Sequence, residues 1–84
     1  MPRYFFHLKD GHTSLDHEGT ELRDLDEARR TAVTLSGAIL KDGASPSLWN
    51  GIPWHLWVSD HAQGSGHRFF TLQFSAAQAD IAEL

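Results

Sequence analysis

Six histidines stand in this 84-residue chain, at positions 7, 12, 17, 55, 61 and 67. Imidazole is a common metal ligand, and with no cysteine present a zinc site would have to be assembled from His and carboxylates. The best-placed pair is His7 and His55, which period-2 alternation puts on one sheet face, adjacent if the strands that carry them pair. No two histidines have the i, i+4 spacing of a helical zinc site. The other four fall in or beside turns, where polar residues collect through solvation alone. Solvated or core-edge histidines explain this pattern better than a metal centre, and no cofactor is expected.

Carboxylates are the second candidate chemistry. Asp10, Asp16, Glu18, Glu21, Asp24 and Asp26 gather around the first turns and the start of a helix. The stretch Asp16-His17-Glu18-Gly19 lacks the repeated oxygen ligands and closing Glu of a calcium loop, and Asp24, Asp26 and Glu27 suit capping and the helix dipole. No serine lies in a Gly-x-Ser-x-Gly elbow, and Gly64-Ser65-Gly66 lacks the lysine of a phosphate loop. An enzyme is therefore not expected.

The elements that position these residues follow from periodicity. Tyr4, Phe6 and Leu8 alternate with Phe5, His7 and Lys9, a strand that Asp10-Gly11 should turn tightly into a second strand at residues 12–15. Thr20-Glu21-Leu22 adds a short extended piece. Asp24 is an N-cap with Glu27 at capping-box spacing, and Leu25, Ala28, Ala32, Leu35 and Ile39 form one apolar stripe. With Gly43 as C-cap and Pro46 barring continuation, the helix should span about residues 25–42. Residues 43–53 read as a loop pinned by Leu48, Trp49 and Ile52. Strands over Trp54 to Ser59 and Arg68 to Phe74 form a second hairpin across the Gly- and Ser-rich residues 60–66, and the Ser75 and Gln78 spacing admits a short C-terminal helix. The expected fold is α+β: a single domain over residues 1–84, β-β-α-β-β, whose four-stranded antiparallel sheet in order 2-1-3-4 carries the main helix on one face.

Composition narrows the partners. A formal net charge of −4 without a basic cluster disfavours nucleic acid. No apolar run approaches the roughly 18–20 residues that span a bilayer, and the amino end does not resemble a signal peptide. A cytoplasmic protein is expected.

Alternation also gives the sheet two apolar faces. With Tyr4, Phe6, Leu8, Trp54, Leu56, Val58, Phe70, Leu72 and Phe74 toward the helix, the residues Phe5, His7, His55, Trp57, Phe69, Thr71 and Gln73 point away. A half-aromatic outer face suggests contact with a protein partner or a second copy, unless the C-terminal segment with Ile81 and Leu84 covers it.

The start Met-Pro-Arg-Tyr-Phe-Phe, the Lys9-Asp10-Gly11 turn, the run Asp16 to Leu22, Asp24-Leu25, Ala28-Arg29, Val58-Ser59-Asp60 and Thr71-Leu72-Gln73-Phe74 resemble an uncharacterised family of short bacterial proteins, common in alphaproteobacteria, known as a domain of unknown function. The resemblance covers nearly the whole chain and implies a cytoplasmic bacterial protein. It brings no activity and no site residues, and the family's usual acidic pair before the glycine is His17-Glu18 here. The order of elements also resembles small HicB-type antitoxin domains, a fold-level analogy that implies a regulator acting through a partner.

Overall fold

Alternating side chains over Arg3–Lys9 make β1, the strand around which the rest assembles. The computed structural model describes residues 2–42, 46–62 and 66–77. After β1 come β2 (Thr13–Ser14), β3 (Thr20–Glu21), the helix α1 (Leu25–Lys41), the single turn α2 (Pro46–Trp49), β4 (Trp54–Ser59) and β5 (Arg68–Phe74). Neighbouring strands are antiparallel in the order β2-β1-β4-β5, which is the expected 2-1-3-4 path, and β3 also pairs with β1.

The extra strand arises because the first hairpin does not close in one run. Lys9 pairs with Thr13, so residues 10–12 form a wider loop than the tight Asp-Gly turn expected, with Gly11 at φ 99°. Pairing stops at Leu8 with Ser14 and resumes at Tyr4 with Thr20, two residues out of step. Residues 15–19 thus stand against residues 5–7, too many for a flat ladder, and leave the sheet as a loop.

Asp24 caps α1, its carboxylate accepting from the Glu27 amide at 2.9 Å. The Glu27 side chain does not complete the capping box; it accepts from Arg23 Nε at 2.6 Å. At the other end the Asp42 amide donates to Ala38 O, while the expected cap Gly43 lies outside the described residues. Ala28 and Ala32 are fully buried, and their small side chains bring the helix axis close to the sheet. Ser36 continues that line, with Leu25, Leu35 and Ile39 half-buried beside it. The core is Tyr4, Leu22, Ala28, Ala32, Leu48, Trp54, Leu56 and Val58. Half of β4 lies in it, as expected of a central strand.

The segment 43–53 contains α2 rather than loop throughout. Successive residues of a helix point about 100° apart, so Leu48 enters the core at 7 % exposure while Trp49 stays 60 % exposed; Ile52, beyond α2, is 45 % exposed. Leu48 alone of the three expected residues pins this segment. Residues 75–77 have no regular structure, and the expected helix beyond them lies outside the described residues. Among the described residues no helix is long and apolar enough to cross a membrane.

Leu48→Ala should destabilise the fold by about 2–5 kcal/mol, as truncated core leucines do. Trp49→Ala, on the exposed side of the same turn, should change it by about 0.5 kcal/mol. Urea unfolding midpoints of the two variants check this, and equal losses would contradict the assignment of Leu48 as the anchor.

Candidate functional site

Register places Phe5, His7 and Lys9 of β1 opposite Ser59, Trp57 and His55 of β4, with Thr71 and Gln73 of β5 next in line opposite Trp57 and His55. All lie on the face away from α1. The expected exposed aromatic patch is not there: Phe5 is 9 % exposed, Trp57 8 % and His7 0 %. Part of the cover comes from the loop at residues 15–19, which folds over this face. A Cβ added to Gly19 would meet Phe5 Cε2 and Arg3 Cγ at 2.8 Å, and Gly19 sits at φ +73°, a conformation that favours glycine.

Asp16 fastens the loop. Its carboxylate accepts from the Phe6 amide at 3.1 Å, replacing the ladder bond lost where pairing breaks, and from the Glu18 and Gly19 amides at 3.1 and 3.0 Å. Burial acts to raise the Asp16 carboxyl, but the amides of Gly19, Phe6 and Glu18 outweigh it and hold the group below its ordinary 3.8.

The Asp16 amide in turn donates to His7 Nδ1 at 3.0 Å. His7 is therefore the Nε2–H tautomer, which donates to Ser59 Oγ at 2.9 Å, and the Ser59 hydroxyl donates to His61 O at 2.8 Å. Burial holds the imidazole below its ordinary 6.5, against the Asp16 charge that favours protonation. This chain ties loop, β1, β4 and the following turn together. At the expected pair, His7 faces Trp57 whereas His55 faces Lys9, so the two are diagonal, and both His7 nitrogens are engaged within the fold. Among the described residues no three His, Asp or Glu side chains converge as metal ligands would.

A register shift at Val58/Ser59 changes the rest of the face. Phe70 pairs with Val58, but Ser59 pairs with Arg68, which leaves Phe69 as the extra residue of a β-bulge. Simple alternation puts Phe69 outside. Instead its ring packs 5.4 Å from Tyr4 on the helix side, edge-on to His67 at 5.1 Å, and Phe69 joins the side chains around the core. Arg68 takes the outer position, its guanidinium 5.2 Å over the Trp57 ring. The bulge exchanges an aromatic residue for a cation.

The exposed result is a cleft of about 350 Å³ lined by Lys9, Thr13, His55, Trp57, Arg68 and Thr71. Among the expected contact residues it brings together His55, Trp57 and Thr71, and leaves out Phe5, His7 and Phe69. Lys9 and Arg68 are not among the expected contact residues; alternation already turns Lys9 outward, and only the bulge brings Arg68 to the same face. Sequence reading missed Asp16 and Ser59. An Asp three residues before a glycine at a turn is a usable signal for the first; nothing local marks the second.

A second surface lies at the free side of β5. Phe6 N donates to Asp16 and Leu22 N donates to Pro2 O, so even-numbered residues of β1 turn their backbone groups toward β2 and β3. Alternation then directs the odd residues of β1 to β4, the even residues of β4 to β5, and Thr71 and Gln73 of β5 outward. No described strand pairs there. Beside this edge, between α1 and β5, runs an apolar groove of about 270 Å³ lined by Val33, Ser36, Gly37, Leu40, Leu72 and Phe74.

The His7–Asp16 arrangement makes stability acid-sensitive. His7 has a depressed pKa in the fold, so below 6.5 the unfolded chain takes up a proton that the fold resists, and stability falls with pH until the lower folded value is passed. Asp16, also depressed, adds a second loss as pH falls below 3.8. Urea midpoints measured through both windows should decline in two stages, with His7→Phe flattening the upper one. A parent midpoint constant through the upper window would contradict this. Asp16→Asn, which removes one acceptor from a set of three amides, should lose about 1–3 kcal/mol at neutral pH.

No curated protein and no solved structure matches the chain. The fold and the broken first hairpin are carried by the stretch that one family's sequence pattern recognises, residues 3–75, and the chain belongs to that family, described as Domain of unknown function (DUF6894).

Proposed function

We propose that this protein is a self-associating interaction domain in which two copies join through the free edge of β5. The observation that carries the reading is the contrast between the two sides of the sheet. On the β1 side the edge is blunted by two short strands, a loop and the Asp16 carboxylate. On the other side β5 presents seven residues with no proline, no acidic residue and one cation, Arg68, at its end. Such an edge is a template for strand addition.

A second copy suits it better than an unrelated peptide because β5 is self-complementary. Antiparallel pairing about a two-fold axis near Thr71 sets Arg68 of each copy at opposite ends and avoids like-charge contact. The same axis brings together two copies of the helix face beside the groove, where Val33 is 61 % exposed and Gly37 has open space around it. Apolar surface there is covered at the same time as the backbone groups are paired. The aromatic outer face supports this reading less, since Phe5 and Trp57 are already buried within one copy.

Sedimentation equilibrium should report a dimer whose population rises with concentration. Gln73→Pro removes an outward N–H without disturbing the β4 ladder, and should give a monomer with an unchanged circular dichroism spectrum. Val33→Glu, at the groove instead of the backbone, should weaken the dimer as well. A parent protein of single-chain mass at millimolar concentration would overturn the proposal.

A further inference from the structure

The outer cleft has a composition at odds with the chain around it. The protein carries 11 acidic residues against 7 lysines and arginines, yet no Asp or Glu is among the six residues that line this cleft. What lines it are two cations, an imidazole, two threonine hydroxyls and a tryptophan, so every one of the six can donate a hydrogen bond.

Their placement follows from the sheet. Thr13, Lys9 and His55 form one cross-strand row over β2, β1 and β4, and Trp57 and Thr71 form the next over β4 and β5. Arg68 reaches in from the bulge and lies over the indole. Among the described residues neither Lys9 nor Arg68 has a carboxylate within ion-pair distance, whereas Arg3, Arg23 and Arg30 each have one. Among the described residues Trp57 Nε1 is a buried donor without an acceptor, an arrangement rare enough to require an explanation. A bulge that re-aims a side chain beside such a cleft is a common feature of binding sites.

We propose that this cleft binds a small oxyanion-bearing molecule, a phosphate ester or a polycarboxylate, with Arg68 and Lys9 as its charged anchors and Thr13, His55 and Thr71 as further donors. Arg68 supplies a planar fork matched to either group, and Lys9 a point charge from the opposite wall. The cleft volume of about 350 Å³ admits a small metabolite. The site is on the sheet face opposite α1 and does not depend on pairing through β5.

The test is calorimetric titration of the full chain at low ionic strength with inorganic phosphate, a nucleoside monophosphate and citrate, and with sodium chloride at matched ionic strength. Saturable binding of phosphate or the nucleotide assigns a phosphate ester, and saturable binding of citrate alone assigns a polycarboxylate; either supports the proposal. Arg68→Gln and Lys9→Gln should each weaken binding by about tenfold or more, the loss of a charge-assisted hydrogen bond. Arg29→Gln, on the exposed face of α1, should leave it unchanged. Thermal melts of all three variants report whether they fold. Heats no larger than those of chloride, or Arg68→Gln binding like the parent while folded, would overturn it.

Discussion

His7 is fully buried on β1, and a buried imidazole carries one donor and one acceptor that both require partners. The acceptor is matched by the amide of Asp16 and the donor by the hydroxyl of Ser59, so a single ring sets the position of a loop on one side and of β4 on the other. Ser59 passes the constraint to His61 O, at the start of the turn that leads to β5. In the same turn the Asp60 carboxylate, kept below the usual range chiefly by its hydrogen bond from His61, also accepts from the His67 amide at 2.7 Å. The bulge follows directly. Each outer-face feature, from the folded-down loop to the re-aimed Arg68, is held by this run of polar contacts rather than by the core.

That division explains which parts of the structure could be read from the sequence. The helix, the strands β1, β4 and β5 and the order of the sheet are written in periodicity and capping, because the apolar core that enforces them uses alternate residues along strands and every third or fourth along α1. The outer face is written in single contacts. Whether Phe69 points in or out depends on one extra residue between Ser59 and Val58 pairing, and no composition rule locates such an insertion. Likewise His7 looks like an open ligand from its strand position, yet its two partners lie 9 and 52 residues away. The widened first turn is a smaller case: Asp10-Gly11 does turn the chain, but the loop residues include His12, whose amide bonds to Asp10 Oδ1.

Two buried polar atoms lack partners among the described residues, Ser36 Oγ and Trp57 Nε1, and their residues are among those lining the groove beside β5 and the outer cleft respectively. A domain of this size is only modestly stable, and an unmatched donor or acceptor of about 1–3 kcal/mol is a substantial fraction of its stability. Ser36 lies on the helix line that continues Ala28 and Ala32 and is buried like them.

The electrostatics of the two faces also restrict how copies can meet. A face-to-face sandwich through the outer sheet would enclose Lys9, His55 and Arg68 with their counterparts, desolvating like charges with no carboxylate in the cleft to compensate. Association through the opposite face is blocked by α1, which occupies it. What remains for the proposed pairing is growth within the plane of the sheet, where β5 offers backbone groups and the flanking helix surface offers Val33, Gly37 and Leu40. In the proposed dimer a two-fold perpendicular to the sheet keeps both clefts open to solvent on the same side of a continuous sheet, so that the proposed pairing and the proposed anion binding do not compete for surface. The bulge lies at the Arg68 end of β5, and Phe70 to Phe74 keep regular register with β4.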